Sequence, residues 1–314
     1  MTTAPAPFAT RITQMLGIDY PIVQAPMGWI ARSQLASSVS NAGGLGIIET
    51  SSGELDAVRA EIGKMRTLTD KPFGVNIAQL FVRDPTIVDF VIEQGVRFVT
   101  TSAGDPRKYT QQLKDAGLIV FHVVPTLAAA LKAQDAGVDG LVVEGGEGGG
   151  FKNPRDVATM VLLPLVASRV DLPIIAAGGI TDGVSMAAAL ALGADGVQMG
   201  TRMVSALESP VHDNWKDAIV NAAETDTVFL NRFGRPGFRA LRTELTTKLE
   251  HDDEVGMGVF AKAMDLYFGG DMESAIALTG QVAGRITQVL STEEILHTTI
   301  TECRSVLDRM RSFS

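Results

Sequence analysis

The chain has a single cysteine among 314 residues, Cys303, which excludes an intramolecular disulfide and a cysteine-built zinc site and points to a reducing, cytoplasmic compartment. Aromatic residues make up only 6%, and the longest apolar run, MVLLPLVA over Met160–Ala167, is far shorter than the ~20 residues that cross a bilayer. The amino-terminal MTTAPAPFATRITQMLG lacks the apolar centre of a secretory signal. Positive charge is also short. Twenty-seven basic side chains against 36 acidic ones leave a net −9 with no segregated Lys/Arg cluster, which argues against a nucleic-acid partner. No two of the four histidines have metal-ligand spacing. The acidic turn EHDDE lacks the glycine-punctuated loop of a calcium site. What remains, 46% hydrophobic and 20% charged, describes a folded chain with one large core or two ordinary ones.

Glycine is what the chain has in quantity, 32 in all, and its placement at the ends of apolar runs allows backbone to approach a ligand closely. Eight short runs read as strands covered on both faces: Pro21–Ala25, Gly44–Ile48, Pro72–Ile77, Arg97–Ser102, Leu118–Val124, Gly140–Gly145, Pro173–Gly179 and Asp195–Gly200. Amphipathic stretches alternate with them, at Gly53–Arg66, Pro85–Gln94, Pro106–Ala116, Thr126–Ala136, Pro154–Ser168 and Gly183–Leu192. Eight strand–helix units in about 200 residues fit a closed (β/α)8 TIM barrel better than an open doubly wound sheet. Residues 1–204 are expected to form that barrel and 205–285 a C-terminal helical lid insertion, leaving 286–314 as a helix closing the wall. Within the lid, helices are expected at Asn214–Ala223, Glu244–Glu250, Val255–Tyr267 and Met272–Leu278 with no strand between them.

Barrel ligands bind at the carboxyl ends of the strands. The seventh strand runs into Gly178 and Gly179, and the eighth into Gly200 and Thr201, which offer main-chain N–H groups and a hydroxyl for a phosphate. Ala25, Pro26 and Met27 after the first strand form a nearly side-chain-free apolar shelf for a flat ring. Asn76, ending the third strand, supplies a polar edge or else simply makes a turn. After Glu144, five of seven residues are glycine and are expected to leave a bare channel over a ring, so Glu144, Gly149 and Gly150 join the cofactor-binding candidates.

Taken together, QAPMGWIA, NAGGLGII, KPFGVNI, VVPTLAAALKAQDAGVDGLVVEGGEGGG, PIIAAGGITDG, ALALGADGVQMGTRMV, GRPGFRALR and TGQVAGRI resemble the flavin-dependent nitronate monooxygenase (2-nitropropane dioxygenase-like) family. The same superfamily includes FMN-dependent enoyl-thioester reductases, and the resemblance runs from about Arg11 to Ile286. It implies FMN in a TIM barrel, with phosphate at Gly178, Gly179, Gly200 and Thr201 and the ring beside Ala25, Pro26, Met27 and Asn76.

One departure is informative. The family motif reads E-x-G-G-H, but this chain continues Glu147, Gly148, Gly149, Gly150, Phe151. A positioned base assists removal of a carbon-bound proton by ~10²–10⁴-fold, and phenylalanine cannot act as one. The motif therefore favours hydride chemistry on an acyl-CoA or related thioester, and flavoenzymes of steroid-ring and other acyl-CoA degradation also resemble this family. The alternatives are oxidation of a preformed alkyl nitronate by O2, and a non-redox phosphate-binding barrel. His122 and Lys152 are the nearest acid/base candidates, set against a buried, backbone-bonded histidine and a solvated lysine. Arg232, Arg235, Arg239 and Arg242 form a basic stripe that would meet NAD(P)H or CoA phosphates or belong to an ion-paired helix. Trp29 and Trp215 read as core or lid packing, and His212 and His297 as helix-surface residues. NAD(P)H as co-substrate and a homo-oligomer are both compatible with these motifs.

Overall fold

The computed structural model describes residues 4–252 and 254–313. Met1–Thr3 of the amino-terminal segment, Asp253 of the acidic turn and Ser314 lie outside the described residues. Each predicted strand is present, shorter than expected or, for the third, shifted by one residue: β1 (Ile22–Gln24), β2 (Gly46–Ile48), β3 (Phe73–Ala78), β4 (Phe98–Ser102), β5 (Ile119–Val124), β6 (Gly140–Glu144), β8 (Ile174–Ala177) and β9 (Gly196–Met199). A further strand, β7 (Gly150–Lys152), falls between β6 and β8. The eight barrel strands are parallel, in the order β1-β9-β8-β6-β5-β4-β3-β2. A bridge between Val23 and Leu45 brings β1 back to β2 and closes the cylinder. There Gln24 lends its side chain to the ladder, its Oε1 accepting from Ile47 N at 3.2 Å.

Side-chain alternation along the strands separates two cores. Val23, Ile47, Phe121, Val142 and Ile175 point inward and pack together with Ile12 and Leu16 of α1 (Arg11–Leu16). A Cβ on Gly196, at the start of β9, would lie 3.3 Å from Ile12, so α1 plugs the amino-terminal end of the barrel. Glycine is required beside the two large interior rings: a Cβ on Gly74 would meet Phe98 at 2.7 Å, and one on Gly140 would meet Phe121 at 2.2 Å. The alternate residues Val75, Ile77, Val99 and Val120 face the helix layer, as do Leu141, Val143, Val197 and Met199. That layer comprises α2 (Ser33–Asn41), α3 (Leu55–Leu68), α4 (Ile87–Glu93), α5 (Thr110–Asp115), α6 (Leu127–Asp135), α7 (Thr159–Ala167) and α8 (Gly183–Ala191). The short α9 (Thr201–Val204) follows β9, and α13 (Thr292–Arg311) returns against α8 and α2.

The region between α9 and α13 departs from expectation. It holds α10 (Asp213–Val220), α11 (Glu244–Leu249) and α12 (Ala263–Tyr267), but also a hairpin of β10 (Thr227–Leu230) and β11 (Gly237–Leu241). β11 pairs antiparallel with β7, placing Phe238 opposite Phe151, so the last part of the glycine-rich segment is sheet rather than free channel. The arginines at 232, 235, 239 and 242 recur every three or four residues and imitate a helix. The β-branched and aromatic TVFL and GFRAL on either side of a turn with Asn231 at φ 55 favour the hairpin. The stripe is dispersed accordingly. Arg232 stacks on Phe229, Arg239 is buried and donates to Gly146 O, and Arg242 pairs with Glu250. Met272–Leu278 is not helical. Ala275, Ile276 and Ala277 are buried there, and Ala277 O accepts from Leu241 N at 2.8 Å, so the segment runs extended beside the hairpin.

His122 shows what the outward face can do to a titratable group. It lies on the same face of β5 as Val120 and Val124, both in helix-facing clusters, and its Nδ1 lies 2.7 Å from Thr101 Oγ1. The ring also bonds to the backbone of Gly104, and burial pushes its pKa down from 6.5 to about 4. The unfolded chain then binds a proton that the folded chain refuses, so stability is full above pH 6.5 and declines as pH falls towards 4. The shift is worth about 3 kcal/mol by linkage. Denaturant unfolding at pH 7.5 and 4.5 should show a smaller acid loss in His122→Gln than in the parent; equal losses would exclude this histidine as the source.

Candidate active site

The inward residues at the carboxyl ends of the strands are small or polar, whereas those deeper in are large and apolar. Asn76, 2% exposed, donates from Nδ2 to Thr100 Oγ1 at 2.9 Å and Thr100 O at 3.2 Å, so its side chain is locked across β3 and β4. It is not the residue of a free turn. Gln198 on β9 also points inward, between the outward Val197 and Met199, and its buried Oε1 has no hydrogen-bond partner among the described residues. Sequence reasoning missed it, although the alternation of GVQM placed a lone polar side chain on the barrel side. Ala25, Pro26 and Met27 are half-buried at the end of β1, and a Cβ on Gly200 would sit 3.6 Å from that of Ala25.

The glycine loops converge on one another. Gly178 and Gly179 have φ of 85° and 78°, in the left-handed region that glycine enters freely. A Cβ on Gly178 would collide with Gly145 O at 2.8 Å, and one on Gly149 would reach Gly280 N at 2.7 Å. At Gly179 and Gly200 the nearest atoms are 3.7 and 3.6 Å away, and at Gly150 nothing lies within 4 Å. The first pair brings loops into contact, and the last three positions leave space.

Two further elements hold this cradle, neither assigned a role from sequence. Glu147 folds its carboxylate onto the start of α7, accepting from Thr159 N at 2.9 Å and from Thr159 Oγ1 at 2.9 Å. That hydroxyl is also 2.9 Å from Gly178 O, tying the β6 and β8 loops together. The Thr279–Gln281 segment crosses from the other side: Gly280 N donates to Thr201 Oγ1 at 2.8 Å and Gln281 N to Glu147 O at 2.9 Å. Trp215 Nε1 donates to Thr279 Oγ1 and fixes the segment from within the core. Sequence contains no periodic signal for such a crossing, because it depends on residues as far apart as Glu147 and Gln281, 134 positions along the chain (281 − 147).

On the rim, Lys152 is buried and forms an ion pair with Glu144, whose side chain ends β6. A Cβ on Gly148 would touch both, so the absence of a side chain there lets the pair form. Lys152 is therefore not solvated, and it stands with the cradle residues, whereas the outward His122 does not. Beside it Phe151 is half-buried, its ring centroid 5.0 Å from Phe81, 5.2 Å from Phe238 and 5.7 Å from Phe260. Trp29, at φ 60°, lies against Tyr267 of α12. His212 caps α10 and His297 packs on Tyr20, both away from the cradle. Among the described residues no three His, Cys, Asp or Glu side chains are grouped to hold a metal, and no helix is long and apolar enough to cross a membrane.

Comparison with known proteins agrees with this architecture. The nitronate monooxygenase family model matches residues 9–302. A (3aS,4S,5R,7aS)-5-hydroxy-7a-methyl-1-oxo-octahydro-1H-indene-4-carboxyl-CoA dehydrogenase of Rhodococcus jostii is 40% identical over 242 residues, covering 77% of this chain and 68% of that protein. A probable nitronate monooxygenase of Staphylococcus saprophyticus is 32% identical over 294 residues, covering 79% and 82%. Among solved structures, FabK from Thermotoga maritima aligns with a TM-score of 0.90 at 38% identity, covering 98% of this chain and 100% of that one.

Proposed function

This chain belongs to the nitronate monooxygenase family of oxidoreductases, and from that premise we propose that it uses FMN for hydride chemistry on an acyl-CoA or related thioester. The cradle suits such a cofactor. Main-chain amides at Gly179, Gly200 and Thr201 would hold the phosphate, with Gly178 setting the turn. The half-buried Ala25, Pro26 and Met27 and the open position at Gly150 would border the ring, with Gly149 packed closely on the Thr279–Gly280 backbone. Asn76 and the unpartnered Gln198 would meet its polar edge, since a buried acceptor without a donor calls for one. When bound, FMN supplies reversible hydride exchange with the carbon β to the thioester carbonyl.

The single observation that carries the thioester assignment is Phe151. Where the family motif has an imidazole, this chain has a ring packed among Phe81, Phe238 and Phe260. That wall provides no base for a neutral nitroalkane, but its half-buried ring suits an apolar acyl group. The R. jostii relative, by its name, acts on a bicyclic acyl-CoA. Lys152 would hold the proton exchanged at the α-carbon, with Glu144 orienting its side chain. A nitronate is already an anion and needs no base, so oxidation of preformed nitronates is the second reading, in keeping with the S. saprophyticus relative.

The purified protein should be yellow. After anaerobic reduction by NADH or NADPH, the flavin should be reoxidised by a 2-enoyl-CoA; no such reoxidation, together with O2 uptake when the oxidised enzyme is mixed with a nitronate, would favour the second reading. A colourless protein that takes up no FMN would overturn both. The missing base is tested directly by Phe151→His, which should raise turnover of a neutral nitroalkane by ~10²-fold or more. No gain would remove that explanation for the specificity.

A further inference from the structure

Away from the barrel mouth, a cleft on the flank carries an unanswered charge. It lies between the start of α8, the Arg285–Leu290 segment and α13, with Thr181, Arg202, Ile286 and Thr299 among its lining. Its volume is about 140 Å³, room for four or five waters at roughly 30 Å³ each. Arg202 is 6% exposed. Its Nη1 donates to Gln288 O at 2.9 Å and Ser205 Oγ at 3.4 Å, while Nε and Nη2 have no partner among the described residues and are not sealed in the interior. These two donors form the side of the guanidinium that takes an oxyanion with two parallel hydrogen bonds.

Two carboxylates share the cleft, and both are already engaged. Asp182 pairs with Arg285 and caps α8, and Glu302 accepts from Gly183 N at 2.8 Å in the first turn of that nine-residue helix. Among the described residues, no carboxylate lies within ion-pair distance of Arg202. Burial lowers its pKa to about 10, which still leaves it cationic at neutral pH. A cation removed from water calls for an opposite charge. We propose that this cleft binds a small oxyanion of the phosphate, sulfate or short-carboxylate class, gripped by the free side of Arg202. Its occupant would sit behind the two loops of the cradle, since Thr181 and Arg202 directly follow Ile180 and Thr201 in the chain.

The test uses the holoprotein with FMN in excess, so that any cofactor-phosphate site is filled. Calorimetric titration of inorganic phosphate in a chloride background should show one saturable site per chain, displaced by sulfate and more weakly by acetate. Arg202→Met should weaken it at least tenfold. Thr298→Phe, on the exposed rim, should block the cleft without touching the guanidinium, and it keeps the test in force if the buried substitution disturbs folding. Absence of saturable uptake, or an unchanged affinity in Thr298→Phe, would overturn the site. Gly179→Asp protein should retain it even without cofactor, so the outcome is separable from that of the flavin assignment.

Discussion

Gly179→Asp is expected to yield colourless protein that no longer retains FMN. The substitution places a carboxylate at one of the few cradle positions with open space before it, the nearest atoms being those of Glu147 at 3.7 Å. A carboxylate within ~4 Å of a phosphate costs about 4 kcal/mol at an effective dielectric of ~20, roughly a thousandfold in affinity. Repulsion from Glu147 acts in the same direction. The backbone contribution is separable, because any side chain at φ 78° is strained by about 1–3 kcal/mol. Gly179→Ala carries that strain without the charge, and it should bind FMN more weakly than the parent yet far better than the aspartate variant. Flavin content measured after gel filtration decides the matter; a full complement in Gly179→Asp would move the phosphate elsewhere.

Lys152→Met should separate chemistry from cofactor binding. The lysine contacts Glu144 on the rim and none of the amides assigned to the phosphate, so flavin content should remain near that of the parent. Enoyl-thioester turnover should fall by ~10²–10⁴-fold, the usual contribution of a positioned proton donor, with the loss in kcat rather than in KM. Glu144 keeps some exposure, 26% of its side chain, so the carboxylate left behind can hydrate and the stability cost should stay below the ~3–5 kcal/mol of a fully buried broken pair. Stopped-flow reoxidation of the reduced flavin by 2-enoyl-CoA reads the step directly. A rate within threefold of the parent would reduce Lys152 to a structural partner of Glu144.

The legible part of this molecule is the part written in local patterns. Apolar runs buried on both faces announce eight parallel strands, and their order in the chain is their order around the barrel once β7 is set aside. The glycines after β8 and β9 could likewise be placed at the carboxyl ends of the barrel strands from spacing alone. The hairpin was obscured by arginines at helix-like intervals, in a segment whose pairing partner, β7, lies about 85 residues earlier (237 − 152). Lys152 and His122 could not be ranked by sequence, because one follows a glycine run and the other lies at the end of an apolar strand, and neither setting fixes where the side chain goes. Register decides between them: the parity of β5 turns His122 to the helices, and the antiparallel pairing of β7 brings Lys152 beside Glu144.

Composition and periodicity by themselves determined the barrel and the glycine positions at the carboxyl ends of its strands. These are properties of hydrophobic repeat and backbone freedom, which each segment carries alone. Only the tertiary structure decided that Glu147 ties two loops through Thr159, that Thr279–Gln281 crosses the mouth, and that Phe151 joins an aromatic wall in place of a base. Such contacts join residues distant in sequence, and their geometry is set by the closure of the cylinder rather than by any neighbour along the chain.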